Sequence, residues 1–211
     1  MRHRVALIAG LLMLVTLWAG PLPQMARGSF AAHMLLHIGV VAIAAPLLAY
    51  GALALLVKRK GAAVMFAFPV AASLLDLVVI WGWHTPLTHE AARTIFAARI
   101  AEQTSFLAVG LLLWLTVLAG NGGPARYLAG AGALLFTSMH MTLLGVLIGL
   151  MQTPICIVPQ TEPLFGLSLM ADQQLGGVLM LGFGGMVYLA GGLVLVGKAL
   201  REPAANPGSA G

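Results

Sequence analysis

Six apolar runs divide this chain, at about 5–20, 31–57, 62–82, 104–120, 127–150 and 175–197. About 20 apolar residues, rising 1.5 Å each as a helix, cross a ~30 Å hydrocarbon core; most of the runs reach that length and the first is the shortest. The composition closes off a soluble alternative. Only 8% of the 211 residues are charged and 60% are hydrophobic, whereas a soluble domain carries about 25% charged residues. The expected fold is therefore all-α: a polytopic transmembrane helix bundle of about six spanning helices. Residues 1–200 form one bundle, and 201–211, "REPAANPGSAG", read as a disordered cytoplasmic tail. Pro46 and Pro69 fall inside apolar runs and are expected to kink them, which a bundle tolerates.

Sidedness follows from the lysines and arginines. With the N-terminus cytoplasmic, the inner segments hold Arg2, Arg4, Lys58, Arg59, Lys60, Arg126, Lys198 and Arg201, and the outer ones hold Arg27, Arg93 and Arg99. Eight against three of the eleven predicts N-in and C-in. The segments 83–103 and 151–174 then face the exterior or periplasm of a bacterial inner membrane. Two readings stay open for residues 1–20: a signal peptide ending near "WAG", which would leave five spans, or a signal anchor kept as a helix. The missing A-x-A favours the anchor.

Other classes drop out quickly. The pI near 10.0 is not matched by a basic patch with interleaved aromatics, so no nucleic-acid partner is expected, and lipid is the surrounding phase. Cys156 is the only cysteine, so no intrachain disulfide or CxxC site can form, and a lone loop thiol is more often incidental than a soft-metal ligand. There is no GxGxxG, Walker A, GxSxG or HExxH motif, and no catalytic residue is assigned.

What stands out is the histidines. His33 and His37, in "HMLLH", lie at i and i+4 on one helix face in the outer half of the second span. Imidazole is costly in hydrocarbon, and ligating one ion would offset that cost. His84 and His89 flank the outer end of the third span, and His140 lies deeper in the fifth. His89 reads as a hydrogen-bonding partner for a neighbouring helix. His33, His37, His84 and His140 come from three spans and one side of the membrane, and form the candidate metal set. Met34 and Met141 join them as thioethers, a mixture with imidazole that suits copper, Cu(I) above all. Asp76, in the third span, either pairs with a histidine or a backbone donor in the bundle or has a functional role. Glu102 opens the fourth span and Asp172 the sixth, where each could instead cap a helix start.

In linear order, "HMLLHIGVVAIAAPLLAYG", "WGWHTPLTHEAA", "EQTSFLAVGLLLWLTVL", "MHMTLLGVLIGLMQTPIC" and "GLSLMADQQLGGVLM" resemble the polytopic CtaG family of cytochrome c oxidase assembly factors, over about residues 31–190. The resemblance matches His33 and His37 to the family's paired histidines, and His84 to its Trp-x-His-x-Pro-like element. It matches Glu102 to the acid before Ser-Phe, and Asp172, Gln173 and Gln174 to the Asp-Gln-Gln opening the last helix. The chain departs from the family at Gln103, where a histidine is common, at Leu181, where a tryptophan is common, and in having one span fewer. The family implies a role in making a haem-copper oxidase functional and no turnover of a small substrate. On that reading copper comes from a periplasmic donor, is held by the histidines, and passes to an oxidase subunit. Glu102 and Asp172 would orient the imidazoles.

Three rivals remain open on the sequence. His37 and His140 could ligate haem b in an electron carrier. Asp76 and His140 could form the relay of a transporter. The histidines could also be structural, in a scaffold that grips oxidase helices.

Overall fold

The computed structural model describes residues 1–56, 68–119, 123–155 and 163–201. The basic cluster at 58–60, Cys156 and all but the first residue of the expected tail lie outside them. The described residues form α1 (Arg2–Ala19), α2 (Leu22–Gly28), α3 (Phe30–Ile38), α4 (Ala45–Leu56), α5 (Pro69–Trp83), α6 (Pro86–Thr94), α7 (Phe96–Leu118), α8 (Gly123–Leu150), α9 (Leu169–Leu179) and α10 (Gly185–Arg201). π-helical turns at Gly39–Ala44 and Met180–Gly184 join α3 to α4 and α9 to α10. Five helices, counted through these π turns, are long and apolar enough to cross a membrane; a sixth span results if α5 and α6, bent by 73°, count as one. The chain is thus an all-helical membrane bundle, as its apolar runs predict.

The α3–α4 helix occupies the centre, packed by α1, α7 and α9. Its sequence suits that place, because Val40, Val41, Ala44, Ala45 and Ala49 are fully buried and small enough to let neighbours come close. The π turn precedes Pro46, which has no N–H and whose ring would meet the carbonyl four residues back in a regular helix. The widened turn leaves the Val41 carbonyl to accept two donors from other helices, Trp114 Nε1 and Tyr188 Oη, each at 3.2 Å. In a medium without water, those bonds satisfy a group the helix has released. Pro69 behaves differently from the expected kink. It opens α5, where its missing N–H is one no helix would use.

A close crossing joins α8 to α9. A Cβ placed on Gly177 would lie 2.7 Å from the Gly145 carbonyl oxygen, and one on Gly145 would lie 2.7 Å from the Gly177 carbonyl oxygen. The obstacle is backbone on both sides, so no rotamer can make room. Gly177→Ala is therefore expected to lower stability by about 1–3 kcal/mol through overpacking. Gly132→Ala, where a Cβ would meet nothing within 4 Å, is expected to leave it unchanged or slightly raised. Thermal unfolding of both variants in detergent checks the pair.

Segment 83–103, which the sequence places between spans, is helical for most of its length. After Trp83 the chain turns sharply into α6, then enters α7 at Phe96. Glu102 consequently sits nearly two turns inside α7 and caps nothing. The starts of α3, α7 and α9 and the ends of α5 and α8 gather at one end of the bundle, where the polar side chains collect.

Candidate metal centre

His33 and His37 project from α3 one turn apart, with ring centroids at 4.2 Å and planes perpendicular. Both face α7, and there the buried carboxylate of Glu102 meets them. His33 Nε2 donates to Glu102 Oε1 at 3.1 Å, and His37 Nε2 lies 3.4 Å from the same oxygen. Gln103 Nε2 contacts the other oxygen at 3.4 Å and donates to His37 Nδ1 at 3.1 Å. A carboxylate with no solvent contact, faced by two imidazoles and an amide, is a compact polar island in an apolar bundle.

The bend between α5 and α6 adds two more rings. His84 sits at the corner, and its Nδ1–H donates to the Ile80 carbonyl at 2.6 Å. That bond fixes the tautomer and leaves the Nε2 lone pair free; Nε2 is buried without a hydrogen-bond partner among the described residues. The 73° turn folds α6 back so that His89, fully buried, stacks edge-on against His33 with centroids 4.6 Å apart. His84 reaches His37 at 5.8 Å and His89 at 6.4 Å. Neither nitrogen of His89 has a hydrogen-bond partner among the described residues.

Four imidazoles and one carboxylate from α3, α5–α6 and α7 thus form a single cluster. His33, His37 and Glu102 can each offer a ligand atom with all three atoms inside 4.8 Å of one another. Burying unpartnered imidazole nitrogens at His84 and His89 is costly. Imidazole with carboxylate suits copper, zinc, iron or nickel better than magnesium or calcium.

The remaining sequence-derived candidates lie elsewhere. His140 is paired with Asp76, its Nε2 3.4 Å from Oδ2, and its ring contacts Phe136 at 5.6 Å. The ring contacts of His37 are to His33, His84 and Phe106. Met34 packs towards Gly176 of α9, and Met141 towards Gly184. Each is about 100° around its helix from the adjacent histidine, which turns the thioether to a different neighbour. Asp172 does cap a helix, but not its own. It accepts from Ser29 Oγ at 2.7 Å and from the Phe30 and Ala31 N–H groups at 2.6 and 3.4 Å, closing the start of α3. Gln173 accepts from Ile155 N at 2.7 Å and donates to the Ile148 carbonyl at 3.3 Å, tying α9 to the end of α8. Gln174 is exposed. Asp172 thus holds the start of the helix that carries His33 and His37 without touching their rings.

His89 is the member that sequence reasoning sets aside. Its signal was the spacing "HTPLTHE": a proline after a polar turn starts a new short helix, and that helix can return the second histidine towards the first.

The family model for the cytochrome c oxidase caa3 assembly factor matches residues 1–202, which includes the N-terminal helix beyond the stretch whose motifs show the resemblance. Neither the curated proteins nor the solved structures gave a match. A match over nearly the whole chain, on a bundle whose paired histidines, Trp-His corner and Asp-Gln-Gln helix converge at one end, places it: the chain belongs to the caa3 cytochrome c oxidase assembly factor (CtaG) family.

Proposed function

We propose that this assembly factor handles copper for its oxidase, taking the ion as cargo in the cluster of His33, His37, His84, His89 and Glu102 at the periplasmic end of the bundle. The observation behind the reading is the convergence of four buried imidazoles on one buried carboxylate, with the His84 lone pair pre-set for ligation. The excess of lysine and arginine in the segments assigned to the cytoplasm supports N-in and C-in, which puts the cluster on the outer side of a bacterial inner membrane. Glu102 supplies the negative charge that offsets a cation's desolvation, and Ile80 fixes the His84 ring. With Met34 and Met141 turned to the last helix, copper is supported by the imidazoles and by the family role rather than by thioether softness. The ion would come from a periplasmic donor and leave sideways to an oxidase subunit in the same membrane.

The Asp76–His140 contact is what a transporter relay would need. Among the described residues, however, no further buried acid or histidine continues from it towards Arg126 and Lys198. Deleting the gene and assaying the host's terminal oxidase tests the proposal. Oxidase that has lost copper while keeping haem is the expected result. A fully metallated, active enzyme would refute the reading.

A further inference from the structure

Trp18 lies at the end of α1, and its indole N–H donates to Gln103 Oε1 at 3.2 Å. An indole nitrogen only donates, so the Gln103 oxygen must face Trp18 and the amide nitrogen must face away. On that side Nε2 finds two acceptors, His37 Nδ1 at 3.1 Å and Glu102 Oε2 at 3.4 Å. Reversing the amide would set N–H against N–H at Trp18 and oxygen against carboxylate at Glu102. Its orientation is therefore fixed from both sides. His37 Nδ1 must be the lone pair, and the neutral ring carries its proton on Nε2, facing Glu102 Oε1 at 3.4 Å.

We propose that Trp18 and Gln103 hold His37 in the tautomer that cannot ligate through Nε2, so that loading the cluster requires Gln103 to turn and let go of α1. The tautomer stands on geometry alone; its coupling to loading rests on the metal-handling reading above. A ligating Nε2 must pass its proton to Nδ1, and a metal-bound imidazole usually donates that N–H to a carboxylate or carbonyl. Gln103 instead presents a donor to Nδ1. The ring is neutral in both arrangements, since one proton leaves Nε2 and one arrives at Nδ1. With the proton on Nδ1, Gln103 must swing its oxygen round to accept it, and Trp18 then loses its acceptor. Occupancy of the cluster and the seating of α1 are thus linked, and the linkage acts in both directions. His84 is the opposite case, already set in its ligating tautomer by Ile80. His33, whose Nε2 donates to Glu102, also carries its proton on the nitrogen that faces the carboxylate; a cluster with one ligand held ready and others held back suits a carrier that must release its cargo as well as bind it.

The test uses the full chain in lipid nanodiscs with 15N-labelled histidine, whose ring-nitrogen shifts report the tautomer, and Zn(II) as a diamagnetic probe titrated against a chelator. In the native chain His37 is expected to carry its proton on Nε2. Trp18→Phe frees the amide, mixes the two tautomers and raises Zn(II) affinity by about two- to tenfold, the equivalent of one neutral hydrogen bond. Gln103→Glu keeps an acceptor for Trp18 and offers one to Nδ1, so it should move the proton to Nδ1; because it also sets a second carboxylate beside Glu102, whose charge attracts a cation by itself, only its tautomer is read. Structural damage would lower affinity in Trp18→Phe, which adds no charge, so a rise there separates the two explanations. Finding Nδ1–H in the native chain, or no tautomer change in Trp18→Phe, overturns the lock. A tautomer change with affinity flat or falling overturns its coupling to loading. A native chain that binds neither Zn(II) nor copper refutes the metal-handling reading and the coupling with it, while the 15N shifts still decide the lock.

Discussion

Asp172→Ala is expected to be the most destabilising single change at the polar end of the bundle, costing about 3–6 kcal/mol. The Asp172 side chain is wholly buried and accepts from Ser29 Oγ, Phe30 N, Ala31 N and Leu164 N, the last at 3.2 Å. Alanine removes the acceptor and leaves the donors in place. Buried donors left unsatisfied cost about 1–3 kcal/mol each, less whatever local water or rearrangement recovers. Two of those donors are the first N–H groups of α3, where a negative charge also favours the positive end of the helix dipole. Loss of the cap should therefore fray the turn that carries His33. For a chain of this size the unfolding midpoint should fall by roughly 6–24 °C, at about 2–4 °C per kcal/mol. Asp172→Asn keeps the shape and one acceptor oxygen but points an amide donor at other donors, so an intermediate loss is expected. Detergent-solubilised protein followed by circular dichroism reads both. A midpoint within about 2 °C of the native chain for Asp172→Ala would contradict the cap described here.

Glu102→Gln should separate folding from metal handling most cleanly. The amide keeps the volume of the carboxylate and can still accept from His33 Nε2, the 3.1 Å contact, so the helix content should be unchanged. What goes is the only negative charge in the cluster of four imidazoles. Removing a mere outer partner of a ligand typically costs 10–100-fold in metal affinity, and a charged direct ligand should cost about that much or more. The expected outcome is a fall of roughly 100-fold in copper affinity, measured by chelator competition, with an oxidase in the host that stays copper-poor. The paired variant His33→Ala with His37→Ala should fall at least as far. Undiminished affinity in Glu102→Gln would place the ion away from this carboxylate.

The unequal fates of the four histidines chosen from sequence show where one-dimensional reasoning stops. His33 and His37 are four residues apart on one helix, and helical geometry alone puts them on a common face. His84 gains its place from a corner that "WHTP" announces. His140 lies on an apolar helix whose rotation no local pattern fixes, and packing turned it to Asp76. Met34 and Met141 went to the last helix for the same reason, because a thioether has no strong partner to hold it against a good steric fit at a glycine. His89 was hidden by the bend between α5 and α6. A polar stretch between spans looks like a loop, and only the packing of α6 on α7 makes it a wall of the site.

Taken alone, the sequence determined the medium, the helical class, the number of spans within one, and the paired imidazoles, because each follows from local chemistry: transfer of apolar residues into lipid and the 3.6-residue turn. Tertiary structure alone decided which polar groups meet. It placed Glu102 between His33 and His37, brought His89 into the cluster, made Asp172 the cap of a distant helix, and set Trp18 of the first helix against Gln103. Those contacts depend on helix rotation and crossing. Close glycine approaches and backbone atoms far apart in the chain set both, and no window of sequence contains them together.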